Sequence, residues 1–371
     1  MDETAGWRID PGTLDPVLTD RRIVEAALAS ADPVDRLRLL PLLGRGDQAL
    51  AEAGQLIEQP AVREDPWRVL LLTSDLHRWR HELDQAERLL TAAWKFARSR
   101  GRQASSLQRL GKCWFRFGDL DRAGACFELA LTMRRGFAPA DQVASSEQAI
   151  GRVRQRLGFD AIVLAGGQGR RLRGSGAAGI AKATLPLAGW PLVDHVLLAA
   201  SGATNRIVAG PKRIALASPQ FCREDPAGSG PVAAIAAALH LVRQPVVAVL
   251  AADLPFIGPA LSTLRDCVTL GPRQAAVLVD TTGQSNYLAS MWQTAALHQA
   301  LDRLGEPANR PVRELYRDLD VARAPDYDAN GADCDTPDDL AIARERVSRR
   351  NPGQLPAALL AWPWLELHAP S

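Results

Sequence analysis

No charge of one sign dominates this 371-residue chain: 44 Lys and Arg stand against 42 Asp and Glu, a formal net charge of +2. Nucleic acids and anionic membranes are usually met by a one-sided field of Lys and Arg, so neither is an expected partner. Cysteine is scarce. The five present (Cys113, Cys126, Cys222, Cys267 and Cys334) are odd in number, widely spaced and without a C-x-x-C pair. That excludes a disulfide framework and a zinc knuckle and fits a reducing compartment. The start of the chain, MDETAGWRIDPGTLDP, lacks the basic and apolar regions of a signal peptide. Long apolar runs are missing too, since the longest, Pro231 to Leu254, is interrupted by His240, Arg243 and Gln244. A bilayer-spanning helix would not carry those three comfortably. A soluble, cytoplasmic protein of two or three domains is expected.

What is there divides into two grammars. From about Arg21 to Arg156 the chain is rich in Ala, Leu, Arg, Glu and Gln, with apolar residues three and four apart and few β-branched runs. This pattern predicts helices, punctuated by Gly44, Gly46, Gly101 and Gly118. The segment holding Leu110, Gly111, Trp114, Gly118, Leu120, Ala123, Phe127 and Ala130 has the spacing of the tetratricopeptide pattern. Leu83, Ala86, Leu90 and Ala93 lie in register upstream, and Ala49 and Ala53 more weakly. Stacked helical hairpins closed by a helix in SSEQAIGRVRQRLG are the expectation, with a plain helical bundle as the alternative. His77 and His81 are four apart, but the order H-E-x-x-H is absent and no third ligand is near, so both are read as exposed helix residues.

After Gly158, short aliphatic runs (DAIVLAGG, NRIVAG, PVVAVLAAD, AAVLVD, YLASMW) alternate with helical patterns such as PLVDHVLLAAS and GPVAAIAAALHLV. This predicts an α/β domain with a mostly parallel sheet, and the unbroken VVAVLAA a central strand covered on both faces. The first strand runs into Leu164, Ala165, Gly166, Gly167, Gln168 and Gly169, followed by Arg170 and Arg171. Glycines directly after a central strand let backbone N–H groups approach a nucleotide, and the arginines can neutralise phosphates. The same glycines would equally make a structural turn. The spacing matches neither G-x-G-x-x-G nor G-x-x-x-x-G-K-[ST], which disfavours a dinucleotide fold and a P-loop.

LAGGQGRRL, followed by Lys182 in AKATLPLAGWPLVDHVL, resembles the L-A-G-G-x-x-x-R-[ML]-G…K signature of the nucleotidyltransferase superfamily, and most of all the molybdenum cofactor guanylyltransferases. EDPAGSGPVAAIAAAL, AADLP and DCDTPDDLA then follow in the order of that family's later motifs. The resemblance implies a Rossmann-like nucleotidyltransferase domain over 158–349, preceded by an irregular segment (1–20) and an all-α helical-repeat domain (21–157), with a tail at 350–371. It implies transfer of a nucleoside monophosphate from an NTP, GTP above all, to a phosphate acceptor such as molybdopterin, with release of pyrophosphate. It assigns Leu164, Ala165, Gly166, Gly167 and Gly169 with Arg170 and Arg171 to the triphosphate, and Lys182 to the α-phosphate. Asp253 becomes the Mg2+ ligand and Asp335, in place of a family Asn, a second oxygen on the metal. Asp225, Gly228, Gly230 and Pro231 would meet base and ribose. Asn286 and Arg313 are weaker candidates for the acceptor side, with a solvated surface role as the alternative.

Thr336, Pro337 and Asp339 also read as an ordinary helix start. His195 after Asp194 is read as a plain helix residue. Besides Asp335, the chain departs from the family pattern in a lengthened loop from Arg173 to Ala181, in Ala181 where Asp is usual, and in Ala234 in place of a Gly. The rival readings are a transferase of the same fold acting on a sugar phosphate with CTP, UTP or dTTP, and a helical-repeat scaffold with a degenerate catalytic domain. The helical half is expected to dock a protein partner.

Overall fold

The structure, a computed structural model, describes residues 5–10, 14–166, 182–212, 215, 218–270 and 273–350. The chain divides into two units, Met1–Val153 and Arg154–Ser371. Among the described residues no helix is long and apolar enough to cross a membrane.

The first unit opens on an antiparallel pair, β1 (Trp7–Ile9) with β2 (Pro16–Leu18), where an irregular segment is expected. Helices then follow: α1 (Arg21–Ser30), α2 (Pro33–Leu39), α3 (Gly46–Ile57), α4 (Pro60–Glu64), α5 (Trp67–Trp79), α6 (Leu83–Lys95), α7 (Arg100–Phe117), α8 (Leu120–Arg134) and α9 (Ala140–Leu157). Side chains that accept from free N–H groups start several of them. Asp20 accepts from Arg22 N and Ile23 N, Ser99 from Arg102 N, and Asp119 from Arg122 N. α5 packs along α6, and α7 along α8. The α7–α8 pair buries Leu110, Trp114, Ala123, Phe127 and Ala130, the residues whose spacing predicted a hairpin. A β-carbon on Gly111 would come within 2.6 Å of the Phe127 ring, so the small residue is what lets these helices touch. α9 starts earlier than SSEQ.

The second unit is built on a seven-stranded sheet. In chain order its strands are β3 (Phe159–Leu164), β6 (Arg206–Ala209), β7 (Gln220–Cys222), β8 (Val246–Ala251), β9 (Ala275–Val279), β10 (Ser285–Gln293) and β11 (Val321–Pro325). A separate small pair, β4 (Pro186–Leu187) with β5 (Trp190–Pro191), precedes β6. Across the sheet the order is β11-β9-β10-β8-β3-β6-β7. β10 runs antiparallel to both neighbours and the remaining pairings are parallel. The connecting helices are α10 (Leu192–Ala199), α11 (Pro231–Leu239), α12 (Gly258–Thr269) and α13 (Thr294–Leu304), and α14 (Pro337–Arg350) closes the unit. Ile162, Val247 and Val249 join Val232 and Ile235 of α11 and Leu297 of α13 in one core, and the alternate residues Ala161, Val163, Ala248 and Leu250 are buried as well. Both faces of the central strands are thus covered, as their unbroken apolar runs require.

One buried carboxylate ties this sheet at the entry end of its strands. Asp160 accepts from the backbone N–H groups of Asn205 (2.8 Å), Arg243 (2.6 Å) and Gln244 (3.0 Å) and from the Asn205 amide (3.2 Å). Those donors lead into β6 and β8, so one side chain holds β3 in register with both neighbours. Asp160→Ala would strand three backbone donors, each costing about 1–3 kcal/mol when unsatisfied and buried. Urea unfolding of that variant is expected to show a loss of at least about 3 kcal/mol, and a loss below about 0.5 kcal/mol, the usual range of an inert surface change, would contradict the tie.

Candidate active site

Parallel strands deliver their carboxyl ends to one edge of the sheet. β3 ends at Leu164, whose carbonyl accepts from Ala252 N at 3.0 Å, and β8 ends at Ala251, placing Asp253 two residues beyond. From this point the chain builds outward in both directions, to β6 and β7 on one side and to β10, β9 and β11 on the other. Such a reversal in an open sheet leaves a crevice at the strand ends.

Three distant stretches meet there. Lys182, on the single turn of 3-10 helix Lys182–Thr184, places its Nζ in ion-pair contact with both Asp253 Oδ2 and Asp335 Oδ1. Burial alone would draw the pKa of the ammonium down, but the charge of Asp253 and the hydrogen bonds that Lys182 donates to Asp253 and Asp335 outweigh it and raise the pKa. Lys182 therefore stays charged. Asp253 Oδ1 is buried and has no hydrogen-bond partner among the described residues. Asp333, two positions before Asp335, has its pKa pushed up by burial and then by the negative charges of Asp335 and Asp253.

Asp335 is positioned by a loop that fastens itself at several points. Asp326 accepts from Asn330 N (2.8 Å) and Gly331 N (2.7 Å), and the Asn286 amide donates to Gly331 O (2.9 Å). Cys334 N then donates to the Asp253 carbonyl at 3.2 Å, joining this loop to the end of β8. Asp339 Oδ2 accepts from Asp335 N (3.1 Å) and Thr336 N (2.7 Å), while Thr336 Oγ1 accepts from Asp339 N (3.1 Å). This reciprocal cap starts α14, so the Thr-Pro-Asp-Asp sequence serves as the predicted helix start and also orients Asp335. Arg346 of α14 steadies the loop from behind, donating to Ala329 O at 3.0 Å and lying 4.1 Å over the Phe256 ring.

The segment from Asp225 to Pro231 forms a second loop. Glu224 Oε1 accepts from Gly228 N at 2.8 Å, and Gly228 and Gly230 hold φ of +91° and +95°, values that favour glycine. A β-carbon on Gly166 would lie 4.0 Å from Glu224 Oε1, which sets this loop beside the end of β3. Asp225, Gly228 and Pro231 are exposed. Asn309 N donates to Ser229 O at 2.6 Å and anchors the loop from the other side. Ala234, a departure from the family pattern, lies in the core cluster under β3 and β8, so its methyl is a packing feature.

The structure thus brings together Lys182, Asp253 and Asp335, and sets Leu164, Ala165 and Gly166 at the adjoining strand end. Gly167, Gly169, Arg170, Arg171, the lengthened loop through Ala181 and the tail at 351–371 lie outside the described residues. The Asn286 amide holds Gly331 O, and its Oδ1 accepts from Leu288 N at 3.0 Å, bracing an irregularity in β10. Arg313 is exposed on the 3-10 turn Val312–Tyr316. His81 is not a helix residue, because α5 ends at Trp79. Its Nε2 meets Arg116 at 3.0 Å, and half-buried His77 meets Glu82 at 2.5 Å. Glu224, Asp326 and Asp339 shape the two loops, and of these only Asp339 had a local signal, its place three after Thr336.

Among the described residues no group of three or more His, Cys, Asp or Glu is arranged to hold a metal ion. The donor set of Asp253 and Asp335, with one buried carboxylate oxygen unpartnered, fits a hard cation that takes its remaining oxygens from elsewhere.

His195 of α10 is fully buried with Nε2 2.8 Å from the Leu187 carbonyl, and burial draws its pKa from 6.5 to about 4. The unfolded chain therefore binds a proton that the folded chain refuses as pH falls from 6.5 to about 4, and stability is lost across that window. The loss is expected to approach about 3 kcal/mol at the acid end. Urea midpoints of the wild type and His195→Gln compared at pH 7 and pH 4.5 test this, and parallel pH dependence of the two would refute it.

Residues 161–323 match the family model of the MobA-like NTP transferase domain. The chain is also 30% identical to the bifunctional protein GlmU of Aromatoleum aromaticum over 138 residues, which are 35% of this chain and 30% of that protein. It is similar to the 2-C-methyl-D-erythritol 4-phosphate cytidylyltransferase of Thermus thermophilus at 19% identity, covering 50% of this chain and 97% of that one with a TM-score of 0.38. It is likewise similar to the inositol-1-phosphate CTP transferase of T. maritima at 14% identity, covering 50% of this chain and 96% of that one with a TM-score of 0.39. A MobA-like NTP transferase domain therefore lies in the C-terminal region of the chain.

Proposed function

We propose that the C-terminal unit is a Mg2+-dependent nucleotidyltransferase, moving a nucleoside monophosphate from an NTP to a phosphate acceptor with release of pyrophosphate. The observation that carries this reading is the convergence of Lys182, Asp253 and Asp335 at the strand ends, from parts of the chain far apart in sequence. The family match over 161–323 supports it. GTP as donor and molybdopterin as acceptor rest on the resemblance of the motifs to molybdenum cofactor guanylyltransferases.

The acceptor phosphate would attack the α-phosphorus in line, and the pyrophosphate would leave on the opposite side. Asp253 and Asp335 would hold Mg2+, which supplies charge neutralisation on the phosphate oxygens when bound. Lys182, kept charged by the carboxylates it touches, offers a point charge for the transferring phosphoryl group. Arg170 and Arg171 would offset charge on the departing pyrophosphate. The turn at Gly228 and Gly230 would present backbone edges to the base. Positioning and charge do the catalysis, and no covalent intermediate on the protein is required.

A second reading keeps the chemistry and changes the substrates to a sugar phosphate with CTP, UTP or dTTP. A helical scaffold with a degenerate domain is the reading of another class. The helical unit is read as the docking module for a protein partner.

Pyrophosphate release from the full chain with Mg2+ and each NTP in turn, against molybdopterin and a panel of sugar phosphates, tests the proposal. Turnover is expected with GTP and molybdopterin, and turnover with a pyrimidine nucleotide and a sugar phosphate would replace the first reading by the second. Asp253→Ala and Lys182→Met are each expected to lower turnover by at least about 100-fold, the usual loss when one preorganised charge contact is removed. Turnover unchanged in Asp253→Ala would refute the role of that carboxylate, and absence of NTP binding would leave the scaffold reading.

A further inference from the structure

Lysine is the rare cation of this chain. Of the 44 basic residues only four are lysines, Lys95, Lys112, Lys182 and Lys212, and one of them stands at the strand ends between two carboxylates. Arginine and lysine are not interchangeable in such a place. An arginine grips a carboxylate through two parallel hydrogen bonds of its planar fork, whereas an ammonium is a compact point charge on a flexible four-carbon stem. A lysine can hold the two carboxylates and can also let go of them.

Its hold falls on the oxygens that matter. Nζ touches Asp253 Oδ2 and Asp335 Oδ1, one oxygen from each of the two residues read as holding Mg2+. The side chains of Lys182 and Asp253 are 11% and 13% exposed, against 37% for Asp335, so the pair is nearly dry on the Asp253 side and open on the Asp335 side. Asp253 Oδ1, buried and without a hydrogen-bond partner among the described residues, offers a cation one oxygen. Asp335 Oδ1, which faces Asp253 across the ammonium, is the oxygen that Lys182 holds.

A divalent cation bridging these carboxylates would stand close to the ammonium, and like charges that near disfavour one another. A bare cation therefore has to drive Lys182 off the pair and brings nothing to receive it. A cation carried in by a triphosphate brings anionic oxygens with it, and these receive the ammonium as it leaves.

We propose that Lys182 is an interlock on the carboxylate pair: it keeps a bare divalent cation off Asp253 and Asp335, and it yields to one that arrives bound to a triphosphate. The inference rests on the reading of the site as a nucleotidyltransferase centre and adds the order in which its ligands are admitted. Metal and nucleotide are then coupled through the lysine, each raising the affinity for the other by the same factor.

The test reads metal binding without turnover. Free Mn2+ is followed by its electron paramagnetic resonance signal as the metal alone is added to the full chain. Lys182→Met, which keeps the length of the side chain and removes its charge, is expected to bind Mn2+ at least about fivefold more tightly than the wild type, the lower range of a coupling between sites. Lys182→Arg is expected to bind it no more tightly than the wild type. Adding Asp253→Asn to Lys182→Met should abolish the gain, which places the metal on the pair. Mn2+ affinity in Lys182→Met equal to or below that of the wild type overturns the interlock.

A second measurement uses the unaltered chain and so does not depend on a variant that folds. With 15N-labelled lysine only four side-chain ammonium resonances arise, and the one lost in Lys182→Arg is that of Lys182. It is expected to stay in place with Mg2+ alone and to move when Mg2+ is added with α,β-methylene GTP or α,β-methylene CTP, analogues that cannot release pyrophosphate. A shift as large with Mg2+ alone overturns the interlock. Tighter Mn2+ binding in Lys182→Met without pyrophosphate release from any NTP would uphold the competition between lysine and metal and refute the transferase reading. Pyrophosphate release by the wild type with no gain in Lys182→Met would do the reverse.

Discussion

Parallel strands covered on both faces leave chemistry at one place, their carboxyl ends, and the C-terminal unit follows from that constraint. β3 and β8 lie side by side in register from Phe159 opposite Val246 to Leu164 opposite Ala251. Asp160 fixes this register at one end by taking N–H groups from the segments that enter β6 and β8, where an unpaired buried carboxylate would cost several kcal/mol. With that end fixed, the other end is determined: Leu164 stops beside Ala251, and Asp253 emerges where the sheet reverses its direction of growth. The loop bearing Asp335 is then joined to the same point through Cys334 N and the Asp253 carbonyl. Geometry at the site is thus inherited from backbone pairing more than from side-chain choice.

Electrostatics at this point work under tension. Asp253 and Asp335, with Asp333 close by, set like charges together, and the pKa of Asp333 is pushed up by desolvation first and by this repulsion second. Lys182 relieves it by touching two of the three. Desolvation argues for a neutral lysine and the carboxylates argue for a charged one, and the carboxylates win. Removing Lys182 would therefore do more than delete a contact, because it would leave two half-buried anions without their shared cation. An arrangement of this kind suits a site whose ligand is itself a mixture of cation and polyanion, since each partner can take over a charge that the protein otherwise balances internally.

Much of this was legible in the sequence where periodicity and burial agree. VVAVLAA reads as a doubly covered strand because nothing polar interrupts it, and the α7–α8 hairpin is visible because Gly111, Trp114, Ala123 and Phe127 keep the spacing that two packed helices demand. β7 and β11 lack such a signal. Gln220–Cys222 is too short to show a period, and Val321–Pro325 is an edge strand with Arg323 and Pro325 in it. Within the site, motif order located Lys182, Asp253 and Asp335, whereas Asp326 and Glu224 were invisible because accepting from backbone N–H groups leaves no local pattern. The bracing role of Asn286 was invisible for the same reason: a side chain that braces a bulge looks, in sequence, like any exposed amide.

The two units meet the cost of buried charge with opposite excesses. In the C-terminal unit Asp253 and Asp335 share one lysine, and in the helical unit Arg78 and Arg116 share the carboxylate of Asp15. Neither imbalance strengthens the fold, since an uncompensated charge in a partly dry setting is unfavourable whichever its sign. Asp15 accepts from Arg78, Arg116 and Trp79 just before β2, and these contacts order a segment read from sequence as irregular.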